Sequence, residues 1–384
     1  VVILKMNPVN DYLIDFLIPA LKPLIDRGFL SIVKGATDVG QYLCNHPLVE
    51  SIHITGAGAS HDAIVWGVGE AGVANKKGNT PINKRAITSE LGAVCPTIVV
   101  PGPWTTADIR FQAEQVATQK LHNAGFNCVA CQVMVLSSGW DQKIQFQTEL
   151  ERVLADAESR PLYYPGAQDR LDGFLENNPS SHHVARKGVS DLLIAPLKTD
   201  SSDAAKTTEV FAPALNVTEI ASSDPAAFLQ EAIQFANTQL YGTLGANIVI
   251  HPATIAQIGR QRLEDMLVEL RYGTIAINAW TGVGFLSPQA TWGAFPGHTL
   301  HDVQSGIGVV HNTCLFDKPQ RTVVEAPFRP FPRNILSLSF TLLPRPPWFV
   351  TNRKGGMLGR LLVAFQYRPS LLKIPRIFLN ALLG

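Results

Sequence analysis

The chain predicts an α/β protein built on a doubly wound parallel sheet, and three observations predict it. Short apolar runs alternate with stretches whose apolar residues recur every three to four positions, the rhythm of strand–helix–strand units with right-handed crossovers. One such run, Ser51-Ile52-His53-Ile54-Thr55, leads straight into glycines and then a helical pattern. The 384 residues, 46% apolar and 16% charged, suffice for two or three domains with substantial cores.

Taken in order, residues 1–4 read as a buried parallel strand ending at Lys5-Met6-Asn7-Pro8. A chain that opens in mid-strand without Met is expected to be part of a longer one, and this apolar run is too short for a signal peptide. Leu13, Phe16, Leu17, Leu21, Leu24 and Ile25 predict a helix over 12–27. Strands follow at 30–33 and 51–55, with a short helix over 38–45 between them. Gly56-Ala57-Gly58-Ala59-Ser60-His61 then opens a helix over 62–68, the context in which backbone N–H groups hold a phosphate. His61 stands where a G-x-G-x-x-G has its third glycine, so the turn reads equally as a tight turn. A polar, turn-rich segment over 76–84 precedes strands at 85–90 and 96–100, and 106–121 is helical.

The stretch 121–132, Leu-His-Asn-Ala-Gly-Phe-Asn-Cys-Val-Ala-Cys-Gln, places Cys128 behind an Asn123-Ala124-Gly125 turn and ahead of the apolar run 133–136. A cysteine there is either a nucleophile, whose thiolate backbone N–H groups would stabilise, or an inert small hydrophobe. Glu90, at the C-terminal end of a strand, is either at the ligand-binding edge or a solvated carboxylate. Helices over 141–157 and 171–175, loops over 163–170 and 177–181, and a strand at 191–195 follow. Residues 209–215 begin a further βα unit with a helix over 225–236, and 247–251, 255–272 and 274–278 repeat strand–helix–strand.

Composition narrows the function. A net charge of +1 gives no general affinity for nucleic acid. Five unevenly spread cysteines suit a reducing compartment and a cytoplasmic location better than a disulfide framework. Cys128-x-x-Cys131 has the spacing of a redox or zinc pair but lacks a second pair, and His182-His183 reads as an exposed loop, so no metal is expected. Residues 319–347 are proline-rich and β-biased. Residues 353–384 carry Arg353, Lys354, Arg360, Arg368, Lys373 and Arg376 with no acid. That tail either lies peripherally on an anionic membrane surface or docks on its own domain or a partner subunit, and it is too short without charge to span a bilayer.

The signals also stand in a fixed order: Lys5 after a strand, Gly56 opening a helix, Glu90-Leu91-Gly92 ending a strand, Asn123-x-Gly125-x-x-Cys128, then Glu209-x-Phe211-x-Pro213. This order resembles the NAD(P)-dependent aldehyde dehydrogenase superfamily from the first residue to about Pro296. The resemblance implies a partial Rossmann-like cofactor domain over 1–90, an α/β catalytic domain of aldehyde dehydrogenase type over 91–295, and a divergent segment over 296–384. It implies Cys128 as the nucleophile and Glu90 as the base that activates the deacylating water. Lys5 would contact the adenosine ribose, Gly56 the pyrophosphate, Glu209 the nicotinamide ribose with Phe211 beside it, and the Leu91 carbonyl the nicotinamide amide. A small-molecule aldehyde substrate, hydrophobic in keeping with the tail, and a homo-oligomer are implied too.

Departures from the pattern are Ala93 for a second glycine, Phe126-Asn127 where a Gln is usual, Ala57 and His61 in the phosphate turn, and a poor match after about Pro296. Pro8 replaces a carboxylate that favours NAD, so both NAD and NADP stay open. The family's second oxyanion donor, an asparagine, falls before Val1. A thiol-resolved, CoA-acylating enzyme and a non-catalytic binding fold remain alternatives.

Overall fold

Strands and helices alternate along two units of the computed structural model, which describes every residue except 159, 199–200, 332 and 338–344. The first unit is Val1–Ser89 with Thr299–Asp302, and the second is Glu90–His298 with Val303–Gly384.

In the first unit β1 (Val2–Lys5) and β2 (Leu30–Val33) pair in parallel across α1 (Ile14–Ile25). The predicted helix is preceded by a 3₁₀ turn, Pro8–Leu13, because proline suits a first helical turn and Asn7 caps it, accepting from the Val9 N–H at 3.0 Å. The expected burial of residues 1–4 does not hold: Val2 is 63% exposed, since among the described residues β1 has β2 as its one strand neighbour. After α2 (Thr37–Asn45) and β3 (Ser51–Gly56), α3 (Gly58–Val65) starts inside the glycine turn itself, earlier than predicted. A further helix, α4 (Gly69–Lys77), has no apolar period to announce it. Lys76 and Lys77 lie in its last turn, where cations suit the helix dipole, and Lys76 bonds Asp62 at 2.7 Å. β4 (Ala86–Leu91) runs beside β3, with His53 Nδ1 and Thr88 Oγ1 2.9 Å apart, and enters the second unit at Glu90.

The second unit continues with β5 (Cys95–Val99), α5 (Thr106–Leu121), β6 (Cys131–Ser137), α6 (Lys143–Asp156) and α7 (Ala167–Asn177). Next come β7 (His182–Val184), β8 (Leu192–Pro196), α8 (Asp203–Thr207), β9 (Ala214–Ile220), α9 (Pro225–Gln239) and β10 (Gly245–Val249). The predicted helix over 255–272 is two helices, α10 (Pro252–Ile258) and α11 (Arg260–Glu269), because Gly259 takes φ 88° between them. β11 (Thr274–Ile277), α12 (Thr281–Leu286), β12 (Trp292–Gly293), β13 (Gly306–Ile307), β14 (Val309–His311) and β15 (Thr322–Glu325) complete the body. Two helices, α13 (Gly355–Tyr367) and α14 (Ile374–Leu382), form the tail. Part of the proline-rich stretch, 332 and 338–344, lies outside the described residues.

Among the described residues one sheet runs β15-β11-β10-β5-β6-β9-β8-β7, every pair parallel except β7 with β8. His182 and His183 are therefore on an edge strand rather than a loop, both half-exposed and facing Glu151 and Asp191. Alternation along each strand builds two cores. Val133 and Val135 pack with Phe228, Leu229 and Leu263 from α9 and α11, whereas Met134 and Leu136 pack with Ile109, Val116, Phe146 and Leu150 from α5 and α6.

Candidate functional site

α5 fixes where the cysteine loop begins. Thr105 and Asp108 form a reciprocal capping box at its start, and at its end Asn123, Ala124 and Gly125 take left-handed φ of 55°, 57° and 84°. Asn tolerates that region, and Gly125 is needed there because a Cβ would come 2.9 Å from the Ala212 carbonyl oxygen. The Asn123 amide closes the turn by donating to the Phe126 carbonyl at 3.1 Å. The chain is thereby reversed, and Cys128 enters β6 from its N-terminal end.

Glu90 arrives from the other direction, at the C-terminal end of β4, and is only 4% exposed. The structure brings the two together: the Cys128 thiol donates to Glu90 Oε1 at 3.4 Å. Cys128 is half-buried, beside an apolar cluster that includes Ala93, Cys95, Trp280 and Trp292, with Val310 and Trp348 packed alongside. Burial first, then the neighbouring Glu90 and Glu209 charges, push the thiol well above its ordinary range. That shift disfavours the thiolate in this arrangement. Cys131, by contrast, is fully buried in β6, its thiol pushed up to about 11 by burial, and does not pair with Cys128: every cysteine is free.

The stretch expected to begin a strand at Glu209 is a loop, with β9 starting only at Ala214 and Phe211 held at φ 46°. Arg170 pins it, donating to the carbonyls of Val210 at 3.0 Å and Phe211 at 3.3 Å. Phe126 fills the space beneath, its ring 5.6 Å from that of Phe211. Gln132 joins three motif stretches: its amide donates to the Ala93 carbonyl at 2.9 Å and its Oε1 accepts from the Val210 N–H at 2.8 Å. The Glu209 carboxylate lies directly on Gly92, where any Cβ would overlap it. Burial pushes that carboxyl up to about 8, against the pull of Arg170 and Lys120 and with the help of Glu90. Among the described residues the buried Glu209 Oε1 has no hydrogen-bond partner, and neither does the ammonium of Lys120.

Leu91 is buried beside Glu90, its N–H donating to the Ser305 carbonyl at 2.8 Å. In the first unit Lys5 ends β1 and Gly56 ends β3. A Cβ at Gly56 would meet nothing closer than the Ile54 side chain, at 3.7 Å, so packing within the unit leaves that position open. α3 begins without a side-chain cap. His61 is fully buried, its imidazole pushed down chiefly by burial, so it serves the core rather than the turn.

Three residues had no sequence signal. Trp292 donates its indole N–H to Glu90 Oε1 at 2.8 Å, but it is far from Glu90 along the chain and nothing local marks it. Gln132 and Arg170 look like ordinary strand and helix residues. Two open grooves, of about 550 Å³ beside Met134 and Ile194 and about 620 Å³ beside Phe316 and Val323, are lined by neither Cys128 nor Glu90, so the site is identified by its chemistry and not by cavity size.

Comparison with known proteins bears on this arrangement. The sequence model of the aldehyde dehydrogenase family matches residues 1–293. Substrate-bound AldH from Staphylococcus aureus is similar in structure at a TM-score of 0.59 and 19% identity, over 82% of this chain and 63% of that one. Gamma-glutamyl-gamma-aminobutyraldehyde dehydrogenase from Burkholderia cenocepacia J2315 is similar at 0.54 and 21%, over 73% and 53%. NADP-dependent glyceraldehyde-3-phosphate dehydrogenase from Bacillus halodurans C-125, complexed with NADP, is similar at 0.55 and 18%, over 76% and 56%. At these identities the likeness shows the fold, and this chain spans less than two thirds of each structure.

Proposed function

The chain belongs to the aldehyde dehydrogenase family, and from that premise we propose that it serves the NAD(P)-dependent oxidation of a hydrophobic aldehyde to its carboxylic acid. The observation that carries the reading is the 3.4 Å contact between Cys128 Sγ and Glu90 Oε1. Glu90 takes the thiol proton, and the sulfur attacks the aldehyde carbon, forming a C–S bond while the carbonyl pair moves to oxygen. The backbone N–H of Cys128 is the donor we assign to that oxyanion. A nicotinamide held by Glu209, Phe211 and Leu91 would supply the hydride acceptor. Once hydride has left the carbon, Cys128 carries a thioester. After passing the thiol proton to solvent, Glu90 takes a proton from water, the oxygen adds to the thioester carbon, and the C–S bond breaks to release acid and thiolate.

The cofactor assignment has two supports: the buried, unpartnered Oε1 of Glu209 suits a ribose hydroxyl, and the open position at Gly56 suits a phosphate. Lys5 and Gly56 are assigned to the adenosine ribose and pyrophosphate, and Glu209, Phe211 and Leu91 to the nicotinamide ribose and amide. NAD and NADP both fit, since Pro8 offers no carboxylate to oppose a 2′-phosphate. Trp280, Val310 and Trp348 around Cys128 support an apolar substrate. A homo-oligomer and peripheral contact of the basic tail with an anionic membrane belong to the same reading. Among the described residues no helix is long and apolar enough to cross a membrane.

The test is aldehyde-dependent NAD(P)H formation by the intact protein. Cys128→Ala is expected to abolish it, and a variant that keeps wild-type turnover would remove the sulfur from the chemistry.

A further inference from the structure

Glu90 Oε1 accepts from the Cys128 thiol at 3.4 Å and from the Trp292 indole N–H at 2.8 Å. The two donors differ in what the reaction does to them. The thiol disappears as soon as sulfur bonds to carbon, whereas an indole N–H is neither a proton acceptor nor a nucleophile and survives every step.

The indole is also held still. Trp292 is 1% exposed, and β12 pairs with β14 so that Trp292 lies opposite His311. Its ring stacks parallel to that of His311, 6.4 Å away at 5°, and Phe285 meets it edge-on at 5.2 Å and 78°. A carboxylate that must act twice, first on the thiol and later on water, needs the same orientation both times, and a rigid donor supplies it.

We infer that Trp292 is a positioning residue for Glu90, keeping its carboxylate aimed at Cys128 after the thiol has been consumed. This rests on the assignment of Glu90 as the deacylating base.

The experiment is stopped-flow measurement of NAD(P)H formation in the intact protein, separating the first-turnover burst from the steady rate. Trp292→Phe keeps the ring contacts and removes the N–H. It is expected to slow the steady rate about ten- to a hundred-fold, as for loss of a hydrogen bond to a charged group, while the burst stays near wild type. Replacing Trp292 by the isosteric benzothienylalanine, which has sulfur where Trp has N–H, should give the same loss without a change in volume. In a Glu90→Gln background, Trp292→Phe should add little further loss, because both act on one group. A steady rate within twofold of wild type in both variants, or a Trp292→Phe loss undiminished in the Glu90→Gln background, overturns the inference. The underlying reading fails separately, and takes this inference with it, if Glu90→Gln deacylates as fast as wild type.

Discussion

Glu209 has a carboxyl raised by burial from its ordinary 4.5 to about 8. Between those values the unfolded chain releases the proton and the folded chain keeps it, so the folded state binds more protons there. Stability is therefore full below the ordinary value and falls as pH rises toward about 8. Glu209→Gln cannot ionise and should escape that fall. We expect its melting temperature to match wild type near about pH 5 and to exceed it near about pH 8; parallel pH profiles of the two proteins would show that Glu209 is not buried as described. The same physics bears on Lys120, whose buried ammonium is pushed down to about 8 by loss of water. A buried acid and a buried base without hydrogen-bond partners among the described residues are costly to the fold, and functional sites are where proteins retain such costs.

The element that decides the site is the turn between α5 and β6. Its three consecutive left-handed residues exist because Gly125 lets the backbone pass against Ala212. Gly125→Ala adds a Cβ both in that region of φ and against a carbonyl oxygen. A loss of about 1–3 kcal/mol in urea unfolding is expected, with loss of activity larger than the loss of fold at low denaturant. A variant as stable and active as wild type would mean that the turn does not set the sulfur's position. Asp108 shows the opposite use of burial at the same helix. Burial alone would raise its carboxyl, but hydrogen bonds from Arg329, from Thr105 and from Arg333 hold it well below the usual range. That ion cluster ties the segment after β15 to the start of α5.

Across the whole molecule the charge is nearly balanced, yet the tail is not. α13 and α14 carry basic residues with no acid, while Val363 is 70%, Leu372 90% and Leu379 56% exposed. Lys373 is occupied, donating to the Ala364 and Arg368 carbonyls at 2.8 and 2.7 Å, so Arg360 and Arg376 are the better probes of surface charge. The tail reading predicts that the intact protein co-sediments with phosphatidylserine vesicles more than with phosphatidylcholine vesicles. Salt at roughly 0.5 M, where the screening length is a few ångströms, and the pair Arg360→Glu with Arg376→Glu should both weaken that binding. Equal sedimentation with both lipids would sink it.

The sequence by itself determined the α/β class, the strands that carry Glu90 and precede Cys128, and the membership of a family, because apolar period and glycine demand are local properties. E-L-G and N-x-G-x-x-C are readable for the same reason: Gly92 and Gly125 sit where a Cβ would strike Glu209 or Ala212, so the residue type records the contact. α4 was not readable, having no apolar period, and the break at Gly259 was hidden inside a continuous helical pattern. Only the tertiary structure decided that Glu209–Pro213 is a loop, that the thiol donates to Glu90, and that Trp292 shares the same oxygen. Those facts depend on groups brought together from distant parts of the chain and on the water removed when they meet, and neither distance nor dehydration is written in the order of residues.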